Sequence, residues 1–168
     1  MGNNFSHITD EQADLIRKSP VFFVASVAAD LSAGPNGQGP VNLSPKGATP
    51  LHIIDPNHVA YLDYKGSGNE TARHGITDGP ITVMVMSMGG EDAGIVRLYG
   101  HAKAVPLEES PLFELLNNSP AATLELSKRE VVEITVDSTQ TSCGYGVPVF
   151  EFVEQRNRFG RGRRYKSR

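Results

Sequence analysis

The apolar residues of this chain come in strand-sized pieces, and that bounds its fold more tightly than any other feature. The longest run, Val21-Phe22-Phe23-Val24-Ala25, is five residues, whereas a membrane-spanning helix needs roughly 20 in succession. Strand patterns are expected at 21–27, 41–44, 52–54, 59–64, 81–88, 96–105 and 131–136, with a last one at 149–152. Between them stand turn-formers such as Gly34-Pro35-Asn36-Gly37 and Asp55-Pro56-Asn57. Three short helices are expected. Thr9 caps the first, at 9–18, with Gln12 at capping-box spacing. The second covers 69–74, and Ser110-Pro111 opens the third through 116. Strand following strand through Gly/Pro turns favours an antiparallel barrel over a doubly wound sheet. Met84, Met86 and Met88 alternate on one strand face, where they are expected to fill the barrel.

At 168 residues the chain is one domain's worth, without an internal repeat or linker. A single cysteine cannot form an internal disulfide, which fits a reducing compartment, so a cytoplasmic location is expected. The N-terminal Met1-Gly2-Asn3-Asn4-Phe5-Ser6 lacks the basic and apolar regions of a secretory signal. The net charge of −3 conceals an asymmetry. Residues 156–168 hold seven Lys and Arg and no acid, while the other 155 residues carry nine Lys and Arg against all 19 Asp and Glu, a balance of −10. The expected organisation is therefore a domain over 1–155 and a basic tail over 156–168. Such a tail is either a solvated terminus or an anion-binding arm; the solvated terminus is the commoner case, and no nucleic-acid partner is expected.

Fingerprints for nucleotides and metals are missing. There is no G-x-G-x-x-G opening a helix and no G-x-x-x-x-G-K-[ST], and the five histidines show no metal-ligand spacing. Four segments remain as candidates. In 62–74, a strand runs out at Asp63-Tyr64, glycines free the chain, and Ser67, Asn69, Glu70 and Thr71 surround a helix start. Unpaired N–H groups there make an anion site with Lys65 or Arg73 at hand, or Ser67 or Asn69 simply caps the helix and nothing binds. In Val41-Asn42-Leu43-Ser44-Pro45-Lys46-Gly47, Pro45 ends the ladder and presents Lys46 at a strand end, with Asn42 and Ser44 on one face. Arg97 and Tyr99 share a face of a third strand. The fourth segment, Ser142-Cys143-Gly144-Tyr145-Gly146-Val147-Pro148, is a Gly-rich loop whose cysteine has no histidine beside it in sequence; a ligand- or partner-facing loop suits it better than a nucleophile.

In this order the four segments resemble the pyridoxamine 5'-phosphate oxidase-related, FMN-binding split-barrel family, over about residues 21–148. The resemblance implies a six-stranded antiparallel split β-barrel with a few short helices. It also implies a homodimer with FMN at the subunit interface. The flavin phosphate would lie between Asn42, Ser44 and Lys46 and the helix start carrying Ser67, Asn69, Glu70 and Thr71. Asp63 and Tyr64 would lie along the ribityl chain or ring, and Arg97 would approach the flavin. The implied activity is a flavin-dependent oxidoreductase using a small-molecule substrate or NAD(P)H. Two departures matter. Glu70 stands where better-known members are basic, and the C-terminal Trp and Arg/His pattern that grips pyridoxal phosphate is absent, so that oxidase activity does not carry over. The same fold also hosts deazaflavin (F420) users, haem-handling proteins and non-enzymatic flavin binders.

Overall fold

The computed structural model describes residues 2–30, 40–66, 68–75, 78–90, 93–119 and 127–155. The basic tail and Ser67 lie outside the described residues. The described elements are β1 (Asn3–Phe5), α1 (Asp10–Lys18), β2 (Phe22–Val27), β3 (Val41–Lys46), β4 (His52–Asp55), β5 (His58–Tyr64), α2 (Glu70–Gly75), β6 (Gly79–Met86), β7 (Gly94–Pro106), α3 (Phe113–Asn117) and β8 (Lys128–Cys143).

Every strand pairing is antiparallel. The sheet runs β3-β2-β6-β7-β8-β5-β4, with β1 added beside β8. The mainly β, antiparallel architecture agrees with the sequence reading. Among the described residues there are eight strands rather than six, and β3 and β4 stand at two open ends. The long strands β7 and β8 pair from Gly94 opposite Cys143 to Pro106 opposite Glu130. Between Tyr99 and Gly100 the register with β8 slips by one, leaving Asp137 as the extra residue. Inward-facing residues on β8 change accordingly from even numbers (Val132, Ile134, Val136) to odd (Thr139), the mark of a β-bulge.

Inside the curl lies one apolar core. Phe22 and Val24 of β2, Val59 and Tyr61 of β5, Ile81, Val83 and Val85 of β6, and Val96 and Leu98 of β7 meet there. Strict alternation on β2 and β6 delivers these residues to one face. Helix α1 plugs the core with Ala13 and Ile16. Its capping box forms as expected: Gln12 N–H donates to Thr9 Oγ1 at 3.3 Å, and Thr9 N–H to Gln12 Oε1 at 3.1 Å. A smaller cluster, Leu116 of α3 with Ala60, Leu62 and Val131, covers the outside of β5 and β8.

Several expectations are corrected. Met84 and Met86 sit on the half-exposed face of β6, because the register of Ile81, Val83 and Val85 claims the interior for branched residues. Strand β8 extends over 128–143 rather than 131–136, its polar half being held by β1 and β7 on either side. Residues 149–152 form no strand; Phe150 makes one ladder-like bond, its N–H donating to Met88 O at 2.9 Å. Helix α3 is only Phe113–Asn117 and has no side-chain cap, its N-cap position being Leu112; Ser110 stands two residues earlier, its hydroxyl donating to Glu133 Oε1 at 2.8 Å and accepting from Leu112 N–H at 3.3 Å.

Candidate functional site

The ends of β3 and β5, the start of α2 and the first residues of β8 converge on a cavity of about 280 Å³. On β3 the residues Asn42, Ser44 and Lys46 share the inner, half-buried face, while Val41, Leu43 and Pro45 face out. At the top of β5, Asp63 is buried at 6% exposure. It holds two cations. Lys46 Nζ lies 3.0 Å from Asp63 Oδ1, and Arg129 Nε donates to Oδ2 at 3.0 Å with a second bond from Arg129 Nη2. Arg129 also donates from Nη1 and Nη2 to Gly68 O at 3.2 and 3.1 Å, tying the loop before α2 to β8.

Arg129, which the sequence alone does not single out, also lines this cavity. In the β5–β8 pairing Asp63 opposes Glu130 and Tyr64 opposes Lys128, so Arg129 is the extra residue of a bulge. The bulge aims its guanidinium at Asp63, the use such irregularities commonly serve. The available signal was the charged triplet Lys128-Arg129-Glu130 ahead of an apolar strand. Its proximity to Asp63, 66 residues earlier, depends on the register.

Polar side chains complete the cavity. Asn42 Nδ2 donates to Ser44 Oγ at 3.2 Å and to Thr71 Oγ1 at 3.1 Å, linking β3 to α2. Asn69, Glu70 and Thr71 line the cavity. The Tyr64 hydroxyl and Asn69 Oδ1 are buried without a hydrogen-bond partner. Burial pushes the Tyr64 hydroxyl up from its ordinary value, so it remains a protonated donor. Burial, and then the Asp63 charge, also push the Glu130 carboxyl up, against Arg129 and Lys46. Lys46 Nζ lies 5.6 Å from the centre of the Tyr61 ring, a cation–π distance. Because α2 has only six residues, its dipole is a minor contributor beside these two full charges.

The structure thus gathers Ser44, Lys46, Asp63, Tyr64, Asn69, Glu70 and Thr71 around one cavity, with Asn42 behind them bonded to Ser44 and Thr71. It does not bring Arg97 there. Arg97 lies on β7 opposite Met84 and Gln140, and its Nη1 donates to Ser142 Oγ at 2.9 Å. The loop after Ser142 folds against its own β6–β7 turn, with Gly144 N–H donating to Ala93 O at 3.1 Å. Cys143 is exposed. Among the described residues no cluster of His, Cys, Asp or Glu could hold a metal ion, and no helix is long and apolar enough to cross a membrane.

Beneath the site, His74 of α2 is buried, with Nδ1 2.8 Å from Ser26 Oγ of β2. Burial lowers its pKa from 6.5, Glu70 opposing. The folded protein therefore binds the His74 proton less readily than the unfolded chain, so stability is lost as pH falls below 6.5. A urea-midpoint series from pH 8 to 5 should decline below 6.5, and His74→Gln should flatten that decline.

Comparison with known proteins adds the lineage. Residues 8–143 match the family described as Pyridoxamine 5'-phosphate oxidase. A pyridoxamine 5'-phosphate oxidase family protein of Aspergillus flavus, ustO, is 28% identical over 151 residues, 89% of this chain. The chain spans 57% of that relative's length. Among solved structures, a Group A Streptococcus HupZ variant superposes with a TM-score of 0.61 at 21% identity, over 80% of this chain and 99% of that one. A putative pyridoxamine 5'-phosphate oxidase from Lactobacillus delbrueckii gives 0.57 at 20% identity, covering 82% and 97%. The FAD binding protein of Mycobacterium smegmatis gives 0.50 at 9% identity, covering 82% and 97%. These likenesses establish the split-barrel fold, and the match over residues 8–143 places the chain in the pyridoxamine 5'-phosphate oxidase family.

Proposed function

We propose that this protein binds FMN, holds its phosphate between Lys46 and Arg129, and works as a flavin-dependent oxidoreductase. The observation that carries the reading is the pair of cations, one from β3 and one from a β8 bulge, brought to a single buried carboxylate beside unpartnered polar atoms. The residues fit the group. Lys46 and Arg129 supply charge for a phosphate and Tyr64 a protonated hydroxyl. Asn42, Ser44 and Thr71 add neutral polar groups, and Asn69 Oδ1 is an acceptor suited to a ribityl hydroxyl. Asp63 acts as the positioning group, fixing both cations in direction. Glu70 and Glu130 limit the net charge, which favours a phosphate monoester over a more highly charged anion.

The isoalloxazine ring, when bound, supplies hydride and electron transfer; the protein binds and orients it. A cavity of about 280 Å³ suits a phosphate and part of a sugar-alcohol chain, below the roughly 300–1,000 Å³ of whole ligand sites. A second copy of the chain supplies the remaining wall. The outer face of β3-β2-β6-β7 supports this, with exposed Val41 and Leu43 at its edge and Phe23, Met84 and Arg97 in one cross-strand row. Arg97, remote from the cavity of its own subunit, is then available to the flavin of the other. A small-molecule reductant such as NAD(P)H donates the electrons.

The experiment is a titration of wild-type and Lys46→Ala protein with FMN, followed by flavin fluorescence. The substitution should weaken binding by about 1–3 kcal/mol, the scale of a hydrogen bond to a charged group. Unchanged affinity would remove Lys46 from the site.

A further inference from the structure

A second cavity, of about 750 Å³, shares no residue with the first. We infer that it binds an uncharged, mainly aromatic small molecule at a site separate from the proposed cofactor pocket. The cavity lies between α1, the β6–β7 turn and the segment 144–155 that follows β8, and its size is within the range of small-molecule sites. Leu15, Met86, Met88 and Val96 form its apolar wall, and Phe150 and Phe152 form the opposite side. Those two phenylalanines are held in place while staying 51% and 56% exposed. Phe150 N–H donates to Met88 O at 2.9 Å, and Gln155 Nε2 to Gly47 O at 2.9 Å, so the segment is pinned at Phe150 itself and again beyond Phe152. An aromatic ligand between them and the methionines would remove this exposed apolar surface from water and meet polarizable sulfur.

Charge sets the rest of the ligand's chemistry. The polar groups at the cavity floor are already satisfied, Gln12 Nε2 donating to Thr141 Oγ1 at 2.9 Å and Thr139 Oγ1 to Gln12 Oε1 at 2.9 Å. On the rim, Asp14 is paired with Arg17 at 3.4 Å. Glu11 and Lys18 remain, of opposite sign and seven residues apart, roughly 10 Å along the helix. A rim so balanced gives no net attraction to an anion or a cation, and apolar burial is the driving force.

The test uses the full chain and two probes with a common aromatic body. N-phenyl-1-naphthylamine is neutral at pH 7, and 1-anilinonaphthalene-8-sulfonate differs by a sulfonate. The neutral probe should bind saturably, one per chain, with the sulfonated one at least about tenfold weaker at the same site. Phe152→Ser and Met88→Glu should each weaken the neutral probe by about tenfold, the effect of losing part of a buried aromatic or apolar contact. Both variants should keep the parent's circular dichroism. Absence of saturable binding would overturn the inference, as would variants that bind as the parent does. Equal affinity for the sulfonated probe, lost in the same variants, would overturn its chemical class. None of these readouts depends on flavin.

Discussion

Adding a single methyl group at Gly100 is expected to cost this protein a large share of its stability. A Cβ built there overlaps the Thr135 carbonyl oxygen, with the carbonyl carbon at 2.9 Å and Val136 Cα at 3.1 Å. All three obstacles are backbone, in the central β7–β8 pair, so none can swing aside. The contact arises from the bulge: Gly100 pairs with Val136 one step after Tyr99 pairs with Ser138, which draws the strands together at that point. Relief would require moving the bulge, and with it the inward setting of Val136 and Thr139. Overpacking in a well-packed interior costs about 1–3 kcal/mol and sometimes more. With rigid backbone as the obstacle, about 4 kcal/mol is expected for Gly100→Ala. Against a total of about 5–15 kcal/mol for an ordinary domain, that change is readable as a large drop in urea midpoint. Ala93→Gly, on the exposed β6–β7 turn, serves as a control that should shift the midpoint far less.

Removing Asp63 should produce the other large effect, and it ties stability to the site. Its carboxylate is the common partner of Lys46 and Arg129, whose side chains are 18% and 21% exposed. Breaking a buried pair by deleting one partner costs about 3–5 kcal/mol. Allowing for partial screening at these cations, about 2–4 kcal/mol is expected for Asp63→Ala. The consequence for anions has the opposite sign. With the carboxylate gone, Lys46 and Arg129 face the cavity without their internal counter-ion, so inorganic phosphate should restore stability to the variant. Thermal melts with and without phosphate would show a larger upward shift in Asp63→Ala than in the parent. Equal shifts would mean that the two cations do not face a phosphate-accessible space.

These two predictions show where the sequence was informative. The apolar runs at 21–27 and 81–88 read directly as strands, and the Thr9–Gln12 capping box forms as its spacing implies. The order of the four polar segments points to the family, and two of those segments bring seven of the expected side chains to one cavity. What could not be read depends on register. The bulge that turns Arg129 toward Asp63, and the one that requires Gly100, are one-residue slips between strands far apart in sequence. No local pattern encodes them. The methionines were misplaced for a related reason. A strand such as 81–86, apolar on both faces, gives no sign of which face is inside. Residues 149–152 have strand-like composition, yet the ladder-like bond found for them among the described residues is the one from Phe150 N–H to Met88 O.

The proposed function stands or falls on whether the cavity between β3, α2 and β8 recognises the phosphate of FMN. The most direct measurement is a pair of fluorescence titrations on the full chain, one with FMN and one with riboflavin, which lacks only that phosphate. FMN should bind at least about a hundredfold more tightly, the combined scale of two charge-assisted contacts. This preference should collapse in the Lys46→Ala/Arg129→Ala double variant. Equal affinity for the two flavins, or a preference for FMN that survives the double substitution, would contradict the proposed function.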